Sequence, residues 1–475
     1  MKTTLLKFCI CLLLCSSGFA QTTFGPRLNI DPDTEDEPYE IESGDLDGDG
    51  TIDLVMATFD FVGSIDYIKW YKNDGSGNFT IQPTISSTLT YIDGLAVADI
   101  DGQFGEDIIV SSQNLNRVAY FLSDGIGGFG AETVIDNMLL APGEVKAGDI
   151  NLDGDIDIIV PSFSEFKTVW YAGDGTGGFA TEQTIQIDAG GVDTPYYVDV
   201  ADYDGDSDLD VVIGIYNFPG PQRVEIYYNQ YIESGTSTVS WIKDTQTVDS
   251  SINRLLNVTF GDVNNDSQLD IVSTDLNSGE VTWYNKIKNG TSTPNIISDA
   301  TIIGSPALAY VADIDNDNLN DVIVTDFGVG DDAIIWFKGN SNASPDTTPS
   351  LITDNNFQNV DITLGDFDTD GDIDIATVGN FSDTVDWYQN ELIVLGVDDN
   401  ILEGLKIYPN PTQNVLHIKT ERNDISNLSI LDTVGREVMQ VSLKSTTSID
   451  VSQLQTGIYL IKFEGIDNTY KFIKK

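Results

Sequence analysis

The chain has 475 residues, of which 40% are hydrophobic and 10% aromatic, enough apolar material for a folded protein of two or more domains. Its 76 acidic residues outnumber its 23 basic ones and give a formal net charge of −53, which argues against nucleic acid or an anionic membrane surface as a partner. Residues 21–392 hold 66 acids and 12 bases, whereas residues 393–475 hold 10 and 9. This shift predicts a domain boundary near residue 393.

Residues 1–20 have the pattern of a secretory signal peptide. Lys2 and Lys7 begin the segment, an apolar run covers Phe8–Leu14, and Gly-Phe-Ala at 18–20 forms a small-residue cleavage site. We expect residues 1–20 to be removed, so that Gln21 begins the mature chain. The apolar run is too short to span a bilayer, and no later segment predicts a transmembrane helix.

The three cysteines of the chain, Cys9, Cys11 and Cys15, all lie in this segment. The mature protein would therefore have no disulfide, and packing or bound metal must stabilise it. A lipoprotein anchor at Cys15 is an alternative, although Leu14 before it is larger than such sites normally accept.

The C-terminal block, 392–475, shows short alternating apolar segments broken by Pro, Asn and Gly, which predicts a small antiparallel sandwich. It contains the run Tyr408-Pro-Asn-Pro-Thr412, the pair Gly435-Arg436, the element Leu454-x-x-Gly-x-Tyr459 and a Lys-Lys end. These motifs resemble the C-terminal sorting domain of type IX secretion cargo in Bacteroidetes, over about residues 397–475. The resemblance implies handling by the type IX machinery, passage through the periplasm and a secreted or outer-membrane cell-surface location. An ordinary immunoglobulin-like module is the alternative.

Between these ends, residues 21–391 repeat one nine-residue acidic loop seven times, each copy followed by an apolar strand. The candidate ligands at loop positions 1, 3, 5 and 9 are Asp45, Asp47, Asp49 and Asp53; Asp99, Asp101 and Asp107; Asp149, Asn151, Asp153 and Asp157; Asp202, Asp204, Asp206 and Asp210; Asp262, Asn264, Asp266 and Asp270; Asp313, Asp315, Asp317 and Asp321; and Asp366, Asp368, Asp370 and Asp374. In the second loop Gln103 replaces an acid, which makes it the weakest copy.

Calcium explains this spacing chemically. Ca²⁺ takes six to eight oxygen ligands, and a tight loop with side chains at positions 1, 3, 5 and 9 plus a backbone carbonyl near 7 can surround one ion. Three or four carboxylates without a cation would repel one another strongly. The alternative is that these residues only form turns. It would be a reasonable explanation of one such loop, but it does not explain seven loops of equal length. The sequence therefore predicts up to seven structural calcium ions.

Repeats of about 50 residues with four strands each predict a seven-bladed β-propeller, so the fold class is all-β, with the small immunoglobulin-like β-sandwich behind it. The last repeat stops at Trp387-Tyr388 without an outer strand, and residues 24–30 resemble the outer strands of other repeats. We expect this N-terminal strand to complete the seventh blade and remove the open edges. Each repeat also carries an aromatic pair after its loop, and the first member is Trp in five of the seven repeats. This recurring Trp is expected to be core between blades rather than a sugar platform.

The repeats resemble the FG-GAP/VCBS family of integrin α-subunits and many bacterial surface proteins. The resemblance implies calcium loops on one side and ligand binding on the other, where the second-to-third-strand and blade-to-blade loops lie. The candidate ligand-binding aromatics of the second-to-third-strand loops are Phe59, Phe61, Phe163, Phe166, Phe218, Phe327 and Phe381. Those of the blade-to-blade loops are Tyr91, Tyr196 and Tyr197. Plugging of the central channel and packing against neighbouring blades are alternative roles for each of them.

Catalysis finds little support in the sequence. The only histidine is His417, in the C-terminal block, and residues 21–391 contain neither His nor Cys, so His-based nucleophile systems and His/Cys zinc sites are excluded there. A carboxylate pair or a calcium-assisted polysaccharide lyase with a Tyr, Lys or Arg base remains open. We expect a monomeric, non-catalytic, calcium-binding adhesion module for a glycan or a protein. The alternatives are an exported polysaccharide lyase and a purely structural repeat protein.

Overall fold

The computed structural model describes Phe24–Lys475, apart from residues 35–36, 59–64, 104, 189, 218–219, 236–237, 286–287, 327–332, 342, 354–358, 392–404, 409–411, 421–426, 432–435, 443–445, 456 and 464–468. Contacts divide the chain between Leu392 and Ile393, with one compact unit over Thr22–Leu392 and another over Ile393–Lys475. Within the described part of the chain, no helix is long and apolar enough to cross a membrane.

The first unit is built almost entirely of short strands. In chain order they are β1 (Leu28–Asp31), β2 (Pro38–Gly44), β3 (Asp53–Thr58), β4 (Asp66–Asn73), β5 (Phe79–Ile81), β6 (Ser86–Leu89), β7 (Ile92–Ala98), β8 (Asp107–Ser112), β9 (Arg117–Phe121), β10 (Thr133–Asp136), β11 (Lys146–Gly148), β12 (Asp157–Ser162), β13 (Lys167–Tyr171), β14 (Gln183–Ile187), β15 (Thr194–Ala201), β16 (Asp210–Tyr216), β17 (Gln222–Asn229), β18 (Trp241–Lys243), β19 (Asp249–Ile252), β20 (Leu255–Gly261), β21 (Asp270–Asp275), β22 (Glu280–Asn285), β23 (Thr293–Ser298), β24 (Pro306–Ala312), β25 (Asp321–Asp326), β26 (Ile334–Phe337), β27 (Ser350–Thr353), β28 (Asn359–Gly365), β29 (Asp374–Gly379) and β30 (Thr384–Tyr388). Between them lie one α-helical turn, α1 (Tyr231–Ser234), and one 3₁₀ turn (Asn380–Ser382).

These strands form seven antiparallel sheets in the order β2-β3-β4-β5, β7-β8-β9-β10, β11-β12-β13-β14, β15-β16-β17-β18, β20-β21-β22-β23, β24-β25-β26-β27 and β28-β29-β30-β1, with β6 and β19 as additional short edges. We call them blades 1 to 7 in this order. The innermost strands β2, β7, β11, β15, β20 and β24 each contact the next in this order, β28 contacts β2, and β28 also contacts β25 of blade 6, which completes a closed ring of blades. The seven-bladed propeller expected from the repeats is thus the fold observed.

The N-terminal strand completes blade 7, as the missing outer strand of the last repeat predicts. Strand β1 pairs antiparallel with β30, with Leu28 opposite Trp387 and Asn29 opposite Asp386. An isolated bridge between Phe24 and Asn390 extends the pairing. The two ends of the repeat region therefore share one sheet, so β30 is not left as an open edge for pairing with another chain.

The core lies between the blades. Seven clusters of buried side chains each combine residues of two neighbouring blades. Trp70, Trp170, Trp283, Trp336 and Trp387 are all at most 7% exposed and belong to these clusters, which confirms their expected core role.

Blade 4 departs from the repeat in its aromatic pair. There Ile226 pairs with Val212, whereas in blade 1 the tryptophan Trp70 pairs with the equivalent Val55. The pair Tyr227-Tyr228 is therefore shifted by one residue relative to the aromatic pairs of the other blades.

The second unit is the small antiparallel sandwich that its sequence predicts. One sheet has the order β31-β32-β35 and the other β34-β33-β36-β37, from β31 (Leu405–Tyr408), β32 (Val415–Thr420), β33 (Asn427–Leu431), β34 (Glu437–Ser442), β35 (Thr446–Asp450), β36 (Gly457–Phe463) and β37 (Thr469–Lys474). Apolar residues of both sheets, among them Ile418, Ile430 and Phe472, are buried in one cluster.

Candidate functional sites

Each acidic loop joins the innermost strand of a blade to its second strand, so the seven loops lie at the same end of the propeller. In five loops the first aspartate turns the backbone by accepting hydrogen bonds from N–H groups four and five residues later. Asp45 accepts from Asp49 and Gly50 at 3.0 and 2.9 Å, and Asp366 accepts from Asp370 and Gly371 at 3.0 and 3.1 Å. In the loops of blades 2 and 4 the nearer donor is three residues later.

The backbone at loop positions 4 and 6 has positive φ in six of the loops, as at Gly48 and Gly50 in loop 1 or Thr369 and Gly371 in loop 7. This left-handed backbone explains why Gly, Asn and Ser recur at those two positions.

Five of the loops bring three carboxylates together with oxygens within 4.8 Å of one another. The groups are Asp45, Asp47 and Asp53; Asp99, Asp101 and Asp107; Asp202, Asp204 and Asp206; Asp313, Asp315 and Asp321; and Asp366, Asp368 and Asp374. The second loop forms such a group despite Gln103. The two loops without a three-carboxylate group, those of blades 3 and 5, have Asn151 and Asn264 at the third position.

The aspartate at position 9 opens the second strand of each blade and is at most 1% exposed in all seven loops. In six blades its Oδ1 accepts a backbone N–H from the end of the third strand, for example from Asn390 to Asp374 at 2.7 Å. Its Oδ2 can also accept an N–H within the loop, as from Phe367 to Asp374 at 3.0 Å. These residues therefore fasten the loop to the blade in addition to being candidate metal ligands.

Burial raises the pKa of these carboxyls above the ordinary value of 3.8, to about 6 at Asp157 and about 8 at Asp210. The neighbouring loop carboxylates raise the pKa further, since like charges disfavour ionisation. A divalent cation among them would reverse both effects, because its charge favours the ionised form.

Lysine side chains of the protein enter three of the loops. Lys72 Nζ contacts Asp47 and lies 2.8 Å from Asp49. Lys338 Nζ contacts Asp315 and lies 2.8 Å from Asp317. Lys288, which lies between β22 and β23, contacts Asp204 of the blade 4 loop. Lys72 and Lys338 immediately precede Asn73 and Gly339, the residues whose N–H groups bind position 9, so they occupy equivalent positions in blades 1 and 6.

Several buried loop oxygens have no hydrogen-bond donor. They belong to Asp47, Asp53, Asp204, Asn264, Asp315 and Asp368. Buried acceptors normally have partners, and all of these oxygens lie in or next to the predicted coordination positions. The donor set is hard oxygen alone, which suits Ca²⁺ or Mg²⁺ rather than a softer metal.

A second candidate site is the cavity on the propeller axis, with a volume of about 730 Å³. We call it the axial cavity. Its walls come from the innermost strands and the segments leading into them, and it has seven acids and two bases: Glu37, Glu40, Glu42, Asp93, Glu144, Asp199 and Asp361, with Lys146 and Arg254. Tyr39, Tyr196, Tyr197 and Tyr310 also line it.

Four of the seven cavity acids join one blade to another. Asp361 accepts the N–H of Ile41 at 2.9 Å and the hydroxyl of Tyr310 at 2.7 Å. Glu144 accepts the N–H of Val198 at 2.7 Å and pairs with Lys146 at 3.0 Å.

The acids of blades 2 and 4 make similar cross-blade contacts. Asp199 accepts the N–H of Phe260 at 2.8 Å, and Tyr196 donates to Asp93 at 2.9 Å. These bonds link inner strands to one another around the ring.

Burial is also the main cause of raised pKa values in the cavity. It raises the pKa of Glu42 and of Asp93 to about 7 and that of Asp361 to about 6. The pKa of Glu40 lies well above its ordinary value, through burial and then through the charge of Asp361.

The predicted ligand-binding aromatics are only partly brought together. Phe163 is 37% exposed in the loop after β12, and its ring lies edge-on to Tyr196 with 5.9 Å between centroids. Tyr91 lies between β6 and β7 with a positive φ of 57°. Phe166 also has a positive φ, of 57°, and its ring lies next to Gly191.

The prediction that Tyr196 and Tyr197 lie in a blade-to-blade loop is wrong. Both belong to the innermost strand β15 and line the axial cavity, because the strand begins earlier than the loop pattern suggests. Phe381 lies in the 3₁₀ turn, and Phe59, Phe61, Phe218 and Phe327 fall outside the described residues.

Sequence reasoning missed the acids of the axial cavity. A signal was present, since Glu40 and Glu42, Glu144 and Lys146, and Asp361 and Thr363 alternate with Ile41, Val145 and Ile362 just before an acidic loop. Alternate residues of a strand face opposite ways, so polar residues at this spacing on the innermost strand of a blade face the axis.

Family profiles match both units. A profile described as FG-GAP-like repeat matches residues 45–102, 149–213 and 262–324, and one described as secretion system C-terminal sorting domain matches residues 406–475. The chain carries FG-GAP-like repeats and a type IX sorting domain. The sorting domain indicates export and a secreted or cell-surface location.

Solved structures resemble the FG-GAP propeller in fold. One, entitled "Crystal structure of BBS1N in complex with ARL6DN, soaked with lead", covers 80% of this chain and 99% of its own, at 11% identity and a TM-score of 0.50. Another, entitled "Structure of Dos1 propeller", covers 78% and 95%, at 10% identity and a TM-score of 0.47. No curated protein matches the chain in sequence. At these identities the likeness concerns the fold alone.

Proposed function

We propose that this protein is an exported binding module whose seven-bladed propeller is stabilised by calcium in its acidic loops and binds a glycan or a protein without catalysing a reaction. The observation that carries the calcium assignment is the set of buried loop oxygens without donors. A hard divalent cation would satisfy them and offset the repulsion between loop carboxylates at the same time.

Calcium in this proposal is structural. The residues that would hold it in loop 1 are Asp45, Asp47, Asp49 and Asp53, and the other loops offer the equivalent positions. Because the position-9 aspartate also binds the end of the third strand, an ion there would tie the innermost, second and third strands together. An ion that binds only the folded state raises the free energy of unfolding. At calcium concentrations well above the Kd, this increase grows with the logarithm of the ratio of calcium concentration to Kd. For extracellular modules that Kd is roughly 10⁻⁴–10⁻³ M.

The calcium assignment is tested by calorimetric unfolding and equilibrium dialysis of the purified protein. We expect calcium to raise Tm more than magnesium does at equal concentration, with several ions bound per chain. Asp366→Asn should lower both the calcium stoichiometry and the calcium-dependent rise in Tm. Glu280→Gln removes one charge far from any loop and serves as the control. Equal Tm values in calcium and in chelator, with no ion bound, would exclude the assignment.

Charge supports a binding role over the lyase alternative. A uronic-acid polymer is a polyanion, and the axial cavity offers it seven acids against Lys146 and Arg254, so the field of the site repels that substrate. A neutral glycan or a protein surface does not meet this repulsion.

The binding role is tested by exposing the full chain to a panel of polysaccharides, with calcium and with chelator. Both retention and release of products are measured. Retention without products supports a binding module, whereas turnover of any polymer would overturn the non-catalytic assignment.

A further inference from the structure

Two carboxylates that line the axial cavity take no part in the hydrogen bonds that join the blades. Glu40 and Glu42 lie two residues apart on β2 and line the cavity. No hydrogen bond or ion pair connects either carboxylate to another described residue, in contrast to Asp361 and Glu144 with their backbone and side-chain donors. Unpaired carboxylates in a partly buried cavity are costly without a partner, so these two are the acceptors that the cavity offers to a ligand.

Aromatic rings complete the cavity wall. The rings of Tyr196 and Tyr197 meet edge-on with centroids 4.9 Å apart, and Tyr39 and Tyr310 line the same space. Aromatic faces attract organic cations through their quadrupole, and rings combined with carboxylates are the usual surroundings of bound ammonium groups.

The dimensions favour an extended organic ligand over a metal ion. A volume of about 730 Å³ lies within the range of small-molecule sites. Among the described residues, the groups of three or more carboxylates with oxygens within 4.8 Å of one another all belong to the acidic loops. The cavity acids are therefore spread too widely for a compact coordination sphere, whereas a chain with two or more separated positive groups can reach them.

We propose that the axial cavity binds an aliphatic amine, with ammonium groups donating hydrogen bonds to Glu40 and Glu42 and the alkyl chain lying against the tyrosine rings. This inference rests on the proposed binding role of the propeller and names the ligand class. A free polyamine and the lysine side chains of a peptide are the two sources of such ammonium groups, since both present the same chemistry.

The raised pKa values of the cavity acids add a second readout. Because the pKa of Glu42 and Asp93 is raised to about 7, part of the empty cavity is protonated at neutral pH, and an ammonium ligand must displace those protons. Besides burial, which raises the pKa of Glu42 most, Lys146 lowers it while Asp361 and Glu144 raise it, and Glu40 interacts with the same carboxyl. At Asp93 burial and Glu144 raise the pKa, whereas the hydrogen bonds of Tyr196 and Gln113 lower it. Amine affinity should therefore increase from pH 6 to pH 8.

The test is isothermal titration calorimetry of the full chain in saturating calcium, with spermidine as the probe. We expect saturable binding that the double variant Glu40→Gln/Glu42→Gln weakens at least about tenfold, as expected for lost charge-assisted hydrogen bonds. Tyr197→Leu should weaken binding and Tyr197→Phe should preserve it, which separates the ring from the hydroxyl. Glu280→Gln lies outside the cavity and should bind as the unmodified chain does.

Comparison ligands identify the source of the ammonium group. A tetralysine peptide that binds more tightly than spermidine, with the same loss in the double variant, supports the proposal with a peptide as the natural source. Spermidine binding more tightly supports it with a free polyamine. Equal binding of triacetylated spermidine, or spermidine binding unchanged by the double variant, would overturn the proposal.

Calcium and amine binding fail separately in this design. If calcium leaves Tm unchanged but spermidine binding needs Glu40 and Glu42, the calcium assignment fails and the cavity assignment holds. If calcium raises Tm and spermidine does not bind at millimolar concentration, only the cavity assignment fails.

Discussion

Asn29 Nδ2 donates a 2.8 Å hydrogen bond to Oδ1 of Asp386, a residue 357 positions later in the chain. Arg27 lies 2.8 Å from the other carboxylate oxygen of Asp386, which is 2% exposed. Arg27, just before β1, and Asn29, within β1, thus converge on one buried carboxylate of β30. This contact closes the ring of blades.

Removing the carboxylate of Asp386 should weaken the contact between β1 and β30 that closes the ring of blades. Asp386→Ala removes the carboxylate that Arg27 and Asn29 share, while Arg27 keeps its hydrogen bond to Thr384, and we expect the change to lower the free energy of unfolding by about 3 kcal/mol. Denaturant unfolding monitored by tryptophan fluorescence measures the change. Deletion of residues 22–31 should lower Tm further, because the whole outer strand is lost.

The matched control is an ion pair that does not join the two ends of the propeller. Arg117 and Glu132 lie 2.8 Å apart within blade 2 and are more exposed than Asp386. Glu132→Gln should cost less than about 1 kcal/mol. If Asp386→Ala costs no more than this control, the contact does not hold the ring closed.

Lys72 is expected to compete with calcium for loop 1, because its ammonium group lies on Asp47 and Asp49. Lys72→Met should therefore strengthen calcium binding at this loop by roughly three- to tenfold. The same change should destabilise the protein in chelator, where Asp47 and Asp49 lose their ion pairs with Lys72. Calcium titrations and melting curves in both conditions measure these opposite effects.

Blade 3 supplies the control for this experiment. Ala172 occupies the position equivalent to Lys72, so Ala172→Met tests the effect of the longer side chain without any loss of charge. A Lys72→Met protein that is destabilised equally with and without calcium would show that Lys72 supports packing rather than competing with the ion.

The free energy of unfolding of the protein should depend on pH through Glu42, which lines the axial cavity. Its pKa is raised to about 7 in the folded state, above that of an unfolded glutamate, so the native state holds the proton between roughly pH 4.5 and 7 and stability falls as pH rises through that window. Glu42→Gln has no such proton to lose. Its advantage over the unmodified chain should be small at pH 4.5 and reach on the order of 2 kcal/mol at pH 8.

Urea unfolding at a series of pH values in saturating calcium measures this difference directly. Glu280→Gln provides the control for the loss of one negative charge. A Glu42→Gln advantage that is the same at pH 4.5 and pH 8 would contradict the assignment of Glu42 as a carboxyl destabilised by ionisation.

Phe163 tests the predicted ligand-binding face outside the cavity. Its ring is 37% exposed, so Phe163→Ala should change the free energy of unfolding by less than about 1 kcal/mol. Retention of the polysaccharide that binds best in the panel should nevertheless fall several-fold. Retention equal to that of the unmodified chain would assign Phe163 to packing against Tyr196 alone.

The fold could be predicted from the sequence because its signals are repeated and local. Seven loops of equal length, each before an apolar strand, determine the blade count. The unmatched strand at residues 24–30 indicates the closure that pairing of Asn29 with Asp386 confirms. The loop ligands follow from the same repetition, because their chemistry depends on spacing within nine residues.

The axial cavity could not be predicted in this way, because its residues come from all seven innermost strands. Glu40 and Asp361 lie over 300 positions apart, and only closure of the ring brings the blades that carry them together. The loop prediction for Tyr196 and Tyr197 is wrong because β15 begins several residues before its apolar part. The local sequence pattern predicts that a residue lies in a strand. Whether its side chain faces the propeller axis or the core between blades depends on the position of that strand in its blade.

The pairing of β1 with β30 also constrains the order of folding. Residues 28–31 emerge at the start of synthesis, yet their hydrogen-bonding partners at 385–387 follow only after six complete repeats. The first strand must therefore wait as an unpaired segment, and the ring cannot lock until the final repeat is present. Such long-range pairing slows folding, which keeps the chain open for longer, the form in which an exported protein can still be threaded through a membrane.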